Sequence, residues 1–194
     1  MKLLPRSFYT RRTLEIAPEL LGKIFVKKEG RAFLSGKIVE VEAYLHNDPA
    51  CHAFRGMTER NKVMFSRGGV LYVYFTYGMY FCSNIVTYKE GKGEAVLIRA
   101  VEPIEGIKKM MKNRPLPEDA KVYTLTNGPA KFSQAFHLDK TSSGIDLCGE
   151  NIFILDAPPI SPKDIITTTR IGINTAKEKP WRFYINNNPW ISRK

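Results

Sequence analysis

The stretch from Val70 to Val86, Val-Leu-Tyr-Val-Tyr-Phe-Thr-Tyr-Gly-Met-Tyr-Phe-Cys-Ser-Asn-Ile-Val, is the most informative part of the sequence for the fold. It is rich in aromatic and β-branched residues, which favour extended strands. It is interrupted once, at Tyr77-Gly78, and glycine readily adopts the positive φ of a tight turn. The stretch therefore predicts a β-hairpin with its tip at Tyr77 and Gly78.

The segments around this hairpin predict more strands than helices. Strands are expected over Lys23 to Val26, Phe33 to Tyr44, Glu94 to Val101 and again over the end of the chain, from Arg170 to Ile191. Helices are expected over Ala17 to Gly22, over Pro103 to Asn113 with Ile104, Ile107 and Met111 facing inward, and after Gly128-Pro129 with Phe132 and Phe136 on one face. Most strands are close enough along the chain for hairpin connections. The pattern predicts an α+β fold with a mainly antiparallel sheet.

Length and composition indicate one ordinary globular domain with an unusual charge. The chain has 194 residues, of which 43% are hydrophobic, and we expect a single domain over residues 1–194. Thirty Lys and Arg residues against 19 Asp and Glu residues leave a net charge of +11. A charge of this size points to a polyanionic partner such as nucleic acid.

Other features narrow the setting in which the protein works. No apolar run approaches the ~20 residues of a membrane-spanning helix, and the first residues lack the apolar stretch of a signal peptide. The three cysteines, Cys51, Cys82 and Cys148, are odd in number and have no C-x-x-C spacing. We therefore expect neither a disulfide framework nor a cysteine zinc site, and we expect a reduced cytoplasmic or nuclear location.

Several common catalytic motifs are missing from the sequence. There is no P-loop, no dinucleotide-binding glycine motif, no H-E-x-x-H and no G-x-S-x-G. Carboxylates, aromatic residues and a basic surface remain. Glu40 and Glu42 fall on one face of a predicted strand, with Cα atoms about 6.5–7 Å apart. The pattern alone favours an exposed sheet face with two solvated glutamates; the alternative is a cleft wall on which one glutamate activates a water.

The aromatic residues of the hairpin allow a second functional interpretation. Most of them are expected to pack in the sheet, but Tyr77 at the tip cannot easily reach a core. In a basic protein such a residue can wedge between stacked bases. His46 and His52 lie in the loop after the long strand, and each taken alone predicts an ordinary loop histidine. The run Lys108, Lys109, Lys112 and Arg114 fits either a solvated helix face or contacts with phosphate groups.

Several blocks of the sequence, taken together and in order, resemble one known family. They are Glu42-Ala43-Tyr44, Thr58-Glu59-Arg60-Asn61, the hairpin from Tyr72 to Asn84, Leu97 to Pro103, Asn127 to Lys131, Arg170 to Ile173 and Trp181-Arg182-Phe183. The chain resembles the alkyladenine (3-methyladenine) DNA glycosylases from about Leu14 to Ser192, and it looks like the bacterial type. The resemblance implies a single compact domain with a curved sheet, peripheral helices and a protruding hairpin.

The resemblance also implies roles for individual residues. Glu42 matches the carboxylate that activates the attacking water, and Arg99 matches the arginine that shares the water-binding site. Tyr44, His52 and Tyr74 match the side chains that enclose the flipped base. Asn84 matches the asparagine at the base edge. Tyr77 matches the residue that intercalates into the DNA and fills the vacated stack.

These roles imply a monofunctional glycosylase with no cofactor and no metal ion. The expected partner is double-stranded DNA containing alkylated or deaminated purines, with no membrane, no obligatory protein partner and a monomeric state. The expected location is cytoplasmic in a bacterium, or nuclear in a eukaryote. Two alternatives remain open at this stage: a non-catalytic nucleic-acid-binding module with the same hairpin, and a carboxylate hydrolase acting on free nucleosides.

Overall fold

Eight strands form one curled antiparallel sheet in the computed structural model, which describes residues 1–193. The strands are β1 Ile24–Glu29, β2 Ala32–Tyr44, β3 Leu71–Thr76, β4 Tyr80–Thr87, β5 Glu94–Glu105, β6 Ile152–Leu155, β7 Ile165–Thr168 and β8 Arg182–Ile185. The main path of the sheet runs β3-β4-β5-β2-β1-β6, and β8 joins β2 to β7. All of these pairs are antiparallel, so the predicted α+β class is confirmed.

The long strand β2 is the organising element of the sheet. It pairs with β5 along one side, and along the other it pairs first with β1 and then with β8. Register shifts occur between Ile38 and Glu40 and between Glu40 and Val41. Such bulges turn side chains to the other face. Ile38 therefore packs in the same core as Val41 and Ala43, although strict alternation predicts Ile38 on the face of the glutamates.

Helices are short and lie around the sheet. The α-helices are α1 Arg6–Tyr9, α2 Thr13–Glu19, α3 Ile107–Asn113 and α4 Pro129–Ala135. Four single turns of 3-10 helix lie at Lys62–Phe65, Val122–Leu125, Lys140–Ser142 and Pro162–Asp164. The predicted helix after Gly128-Pro129 is confirmed, and Phe132 and Phe136 are fully buried with ring centroids 4.9 Å apart. No helix of the described residues is long and apolar enough to cross a membrane.

The β3–β4 hairpin has its tip where the sequence predicts it. Tyr77 and Gly78 both have positive φ, 52° and 69°, and Met79 N–H donates to the Thr76 carbonyl at 3.3 Å. Positive φ at both central positions is the type I′ geometry that suits the twist of a hairpin. The tip therefore projects the Tyr77 side chain away from the core, with 80% of the residue exposed.

Two predicted helices have different bounds in the structure. The first, predicted over Ala17 to Gly22, begins at Thr13 and ends at Glu19 in the structure. Its buried face includes Ile16 and Ala17, so the apolar pattern of this helix starts earlier than predicted. The second begins only at Ile107. Residues 103–105 instead extend β5, since pairing with Ser35 and Gly36 of β2 overrides the local helical pattern.

The inward face predicted for this second helix is also partly wrong. Met110 is its fully buried residue, whereas 38% of Met111 and 54% of Ile104 are exposed. Ile104 lies in β5, where helical periodicity does not apply. The C-terminal prediction needs a similar correction: between Arg170 and Ile191 only Arg182–Ile185 forms a strand, and residues 169–181 form an extended loop beside β2.

Candidate active site

A cleft of about 470 Å³ lies beside the hairpin, where β3, β4 and β5 meet α4 and the loop after β7. Its walls combine aromatic, amide and arginine side chains: Tyr44, His52, Tyr72, Tyr74, Asn84 and Arg99. Ile171 to Thr175 form the opposite wall. The structure thus brings together, from four strands and two loops, most of the residues that the resemblance selects.

Glu42 lies behind the floor of this cleft and is fully buried. One carboxylate oxygen, Oε1, accepts the backbone N–H of Ile171 at 2.8 Å and lies 3.1 Å from Nη1 of Arg99. The other, Oε2, accepts the Tyr44 hydroxyl at 2.8 Å. A carboxylate offers about four lone-pair positions. Two are taken by hydrogen-bond donors that themselves line the cleft, Arg99 faces Oε1 as an ion-pair partner, and Oε2 has room for a further donor.

Glu40 is also fully buried, so the expectation of an exposed face with two solvated glutamates is wrong. Its Oε1 lies 3.1 Å from Nε of Arg99 and 2.7 Å from Nε of Arg182, and Oε2 accepts the Ser192 N–H at 2.6 Å. Burial of a carboxylate is tolerated when it is paired and hydrogen-bonded. These partners come from β5, β8 and the C-terminal segment, which alternation along β2 cannot reveal.

Arg99 joins the two carboxylates. Its side chain is 8% exposed and forms ion pairs with both Glu40 and Glu42. Burial opposes the charged form, but the Glu42 and Glu40 carboxylates outweigh it and raise the pKa of Arg99. The guanidinium therefore stays cationic at the edge of the cleft. Its Nη2 donates to the Ser192 hydroxyl at 3.3 Å, which fixes its orientation further.

Three aromatic rings form one side of the cleft. Tyr72 and Tyr74, on the same face of β3, stack with centroids 5.7 Å apart and 29° between their planes. The His52 ring meets Tyr74 edge-on at 4.4 Å, and its Nδ1 lies 3.2 Å from the Tyr72 hydroxyl. Partial burial against these rings, with the Arg60 cation as a second cause, lowers the pKa of His52. His52 is therefore neutral at pH 7, and its ring can stack or exchange hydrogen bonds without adding charge.

The hydroxyls of Tyr44, Tyr72 and Tyr74 stay protonated at neutral pH. Burial raises the pKa of Tyr72 to about 12 and raises that of Tyr74 further. Burial, and after it the neighbouring Glu42 carboxylate, also raises the pKa of Tyr44 well above its usual value. Asn84 lies across the sheet from Tyr72, and its Nδ2 donates to the Tyr72 carbonyl at 3.2 Å. This bond fixes the amide at the cleft wall.

Tyr77 is set apart from the buried residues of the site. It lies at the rim of the cleft on the hairpin tip, next to the exposed side chains of Met79 and Tyr80. Met79 is 66% exposed and Tyr80 42% exposed. The tip is therefore an aromatic and apolar projection beside the cleft mouth, which is unusual for an unpartnered surface.

Several residues of the site were not singled out by sequence patterns. Tyr72 is hidden among the other tyrosines of β3, although the position two before Tyr74 places it on the same face. The sequence gives no local signal, beyond the resemblance, for the loop from Ile171 to Thr175 or for Ser192. Ile171 and Ser192 belong to the site because they donate hydrogen bonds to Glu42 and Glu40, which are distant in sequence. Among the described residues, no group of three or more His, Cys, Asp or Glu side chains is arranged to hold a metal ion.

The chain is similar to known proteins over nearly its whole length. Residues 7–189 match the sequence profile of methylpurine-DNA glycosylase. A protein of Carboxydothermus hydrogenoformans is 49% identical, with 99% of this chain and 100% of the relative aligned. A protein of Chlorobium luteolum is 49% identical over 100% and 98% of the two chains, and one of Francisella tularensis 47% identical over 94% and 95%. All three carry the name "Putative 3-methyladenine DNA glycosylase".

The chain therefore belongs to the methylpurine-DNA glycosylase family. This confirms the resemblance and the predicted class of enzyme, a DNA glycosylase that hydrolyses N-glycosyl bonds. A net charge of +11 suits a DNA substrate. The alternative of a non-catalytic binding module loses its support.

Proposed function

We propose that this protein turns alkylated or deaminated purine nucleotides out of duplex DNA and hydrolyses their N-glycosidic bond with a water activated by Glu42. The observation that carries the proposal is the position of the Glu42 carboxylate. Two hydrogen-bond donors and the Arg99 guanidinium, all of which line the aromatic cleft, hold the carboxylate, and Oε2 has room for a further donor. A general base needs such a free lone pair within hydrogen-bond reach of the water.

The cleft suits a base that has left the helix. The glycosidic bond is inaccessible within a duplex, so chemistry at a base requires extrusion into a pocket. Tyr44, Tyr74 and His52 offer ring faces and edges for stacking, and Asn84 offers an amide at the base edge. Alkylated purines carry positive charge, which the π-faces of tyrosine attract. Tyr77, exposed beside the cleft mouth, fills the gap that the extruded base leaves in the stack.

The proposed reaction has few steps. The water gives a proton to Glu42 Oε2 and its oxygen forms a bond to the sugar C1′. The C1′–N bond breaks, and its electron pair leaves with the purine: a cationic alkylpurine departs as the neutral base, and a neutral purine such as hypoxanthine departs as an anion that takes a proton from solvent. Positive charge develops on the sugar as the base departs, and the Glu42 carboxylate, which is still ionised until the water proton is transferred, stabilises it electrostatically. Arg99 orients the carboxylate and balances its charge, because the two groups are buried and directly paired.

The product is an abasic site in an unbroken strand. A lyase reaction needs an amine that attacks C1′, and no lysine of the described residues lines the cleft. This supports a monofunctional glycosylase. We propose that the enzyme acts as a monomer.

The experiment that tests the proposal measures base release from duplex DNA methylated with dimethyl sulfate, under single-turnover conditions. We expect release of methylpurine bases without strand cleavage, and no action on the corresponding free nucleosides. Separate duplexes carrying 3-methyladenine, 7-methylguanine, hypoxanthine or ethenoadenine then rank the lesions. Release from free nucleosides at a comparable rate would contradict the proposal, since extrusion from a duplex would then have no part.

A further inference from the structure

A second buried ion pair lies beside the cleft and takes no part in the steps above. The side chains of Asp48 and Arg170 are both fully buried. Arg170 Nη1 contacts Asp48 Oδ2, and Nη2 lies 3.2 Å from Oδ1, so the pair is bidentate. Desolvation makes a buried ion pair poor evidence for stability. Its position in the site therefore calls for another explanation.

The Arg170 guanidinium is placed against aromatic rings. It lies 4.6 Å from the ring centroid of Tyr44 and 5.2 Å from that of Trp181. Its Nε is buried and finds no hydrogen-bond acceptor among the described residues. A buried N–H without an acceptor costs free energy, so the stacked position is favoured by the contacts with the two rings. Arg170 thus supports the Tyr44 ring from outside the cleft.

The same side chain fixes the loop that forms the far wall of the cleft. Arg170 Nη1 donates to the Ala43 carbonyl of β2 at 3.0 Å, and Nη2 donates to the Ala176 carbonyl at 3.4 Å. The residues between, Ile171 to Thr175, line the cleft. Ile171 follows Arg170 directly, and its N–H is the donor to Glu42 Oε1 at 2.8 Å.

We propose that the Asp48–Arg170 pair is a clasp that positions two parts of the site at once, the Tyr44 ring and the Ile171 N–H. Asp48 and Arg170 are positioning residues, since neither of them lines the cleft. The proposal rests on the proposed role of Glu42 and deepens it. Catalysis is sensitive to such placement, because a displacement of ~1 Å can lower a rate by roughly 10²-fold.

The test removes both partners of the pair, since a single substitution leaves an uncompensated buried charge. Asp48→Asn keeps an acceptor for the Ala50 N–H, and Arg170→Met keeps an apolar side chain against the two rings. We expect the double variant to fold and to release methylpurines at least roughly 10-fold more slowly than the unmodified chain at saturating enzyme. A control makes the same two changes at the partly exposed Arg6–Asp146 pair, neither residue of which lines the cleft. The control pair should alter the melting temperature and leave the release rate of the folded protein unchanged.

Trp181 gives a readout independent of catalysis. The chain has two tryptophans, so Trp190→Phe leaves Trp181 as the only fluorophore of its kind. Loss of the clasp should expose Trp181 and move its emission to longer wavelength, whereas the Arg6–Asp146 control should not. If the double variant fails to fold, Arg170→Lys tests the proposal instead. Lysine keeps the positive charge but can neither form the bidentate contact with Asp48 nor stack a planar group on the two rings. The same slower release and emission shift are expected of it.

Two outcomes overturn the proposal. One is a folded double variant, or Arg170→Lys, that releases bases at the rate of the unmodified chain with unchanged Trp181 emission. The other is an equal loss of rate in the Arg6–Asp146 control, which would make the effect one of general stability. Glu42→Gln in the same assay separates the two proposals. If Glu42→Gln stays fully active the proposed role of Glu42 fails, while the Trp181 emission still shows whether the pair holds the loop.

Discussion

The Tyr44 hydroxyl donates to Glu42 Oε2 at 2.8 Å, from a position two residues further along the same strand. One residue thus offers its ring to the cleft and its hydroxyl to the carboxylate behind the floor. Burial and the neighbouring Glu42 carboxylate raise the pKa of Tyr44 well above its usual value, so the hydroxyl is a donor at neutral pH. The surface that we propose stacks the base and the carboxylate that we propose activates water are therefore coupled through a single side chain.

This coupling predicts a separable effect of Tyr44→Phe. The substitution keeps the stacking ring and removes one donor to a buried carboxylate. A hydrogen bond to a charged group contributes about 1.5–3 kcal/mol, so Glu42 should be held less firmly and base release should slow by roughly 10-fold. Binding to a lesion-containing duplex should change little. Tyr44→Ala is the comparison, and it should weaken both. A loss of lesion binding in Tyr44→Phe equal to that in Tyr44→Ala would contradict the division of roles.

The exposed tip predicts that Tyr77→Ala leaves the fold intact and weakens lesion binding. With 80% of the residue exposed, little core packing is lost and the melting temperature should not move. Extrusion of a base costs a few kcal/mol. If the Tyr77 ring no longer fills the gap in the stack, some of this cost should appear as weaker lesion binding. Tyr77→Phe retains the ring and should bind almost as the unmodified chain does. If the Tyr77→Ala protein were less stable but bound the lesion with unaltered affinity, Tyr77 would contribute to packing of the fold and not to binding.

The lowered pKa of His52 predicts a pH dependence with a definite sign. The folded protein binds the proton less readily than the unfolded chain, whose histidine titrates near 6.5. The contribution to stability is therefore complete above pH 6.5 and decreases as the pH falls toward the folded pKa. Protonated His52 should also repel a cationic alkylpurine. NMR titration of the three histidines checks this: a His52 pKa above 6.5 would be inconsistent with the packing against Tyr72 and Tyr74.

The net charge predicts strong salt dependence of binding to undamaged duplex. Each neutralised phosphate contributes a slope of about −0.9 in log K against log salt, and we expect several phosphates. The measurement is an equilibrium titration at increasing salt. Lysine-to-glutamine changes within Lys108, Lys109 and Lys112 show whether this face binds phosphate, since removal of one phosphate-binding lysine should flatten the slope by about one. A slope near zero would argue against electrostatic binding of DNA.

The hairpin could be predicted from sequence because its determinants are local. Alternating aromatic and β-branched residues and a glycine at the tip act over neighbouring positions only. The start of α3 could not be predicted in this way. Pro103 and Glu105 pair with β2, so these residues extend β5 and the helix begins only after them. The burial of Glu40 and Glu42 was beyond local patterns for the same reason. Their partners Arg99, Arg182 and Ser192 lie far along the chain, and only the family resemblance pointed to Glu42.

The two glutamates should respond differently to the same substitution. Glu40→Gln keeps the shape but removes the charge that pairs with Arg99 and Arg182. Breaking buried pairs of this kind costs about 3–5 kcal/mol, so the melting temperature should fall clearly. Base release by the remaining folded protein should fall less than in Glu42→Gln, because Glu42 keeps its own donors. An equal loss of release at equal folded fraction would mean that the two carboxylates act as one unit.

The role of Glu42 as the base is tested most sharply by Glu42→Gln, measured for both base release and lesion binding on the same duplex. Glutamine keeps the shape of the side chain and accepts hydrogen bonds through its carbonyl oxygen, but it cannot take a proton from water. We predict that single-turnover release falls by roughly 10²-fold or more while affinity for the lesion is retained, since the aromatic cleft and Tyr77 are unchanged. A Glu42→Gln protein that releases methylpurines at the rate of the unmodified chain would overturn the proposed mechanism.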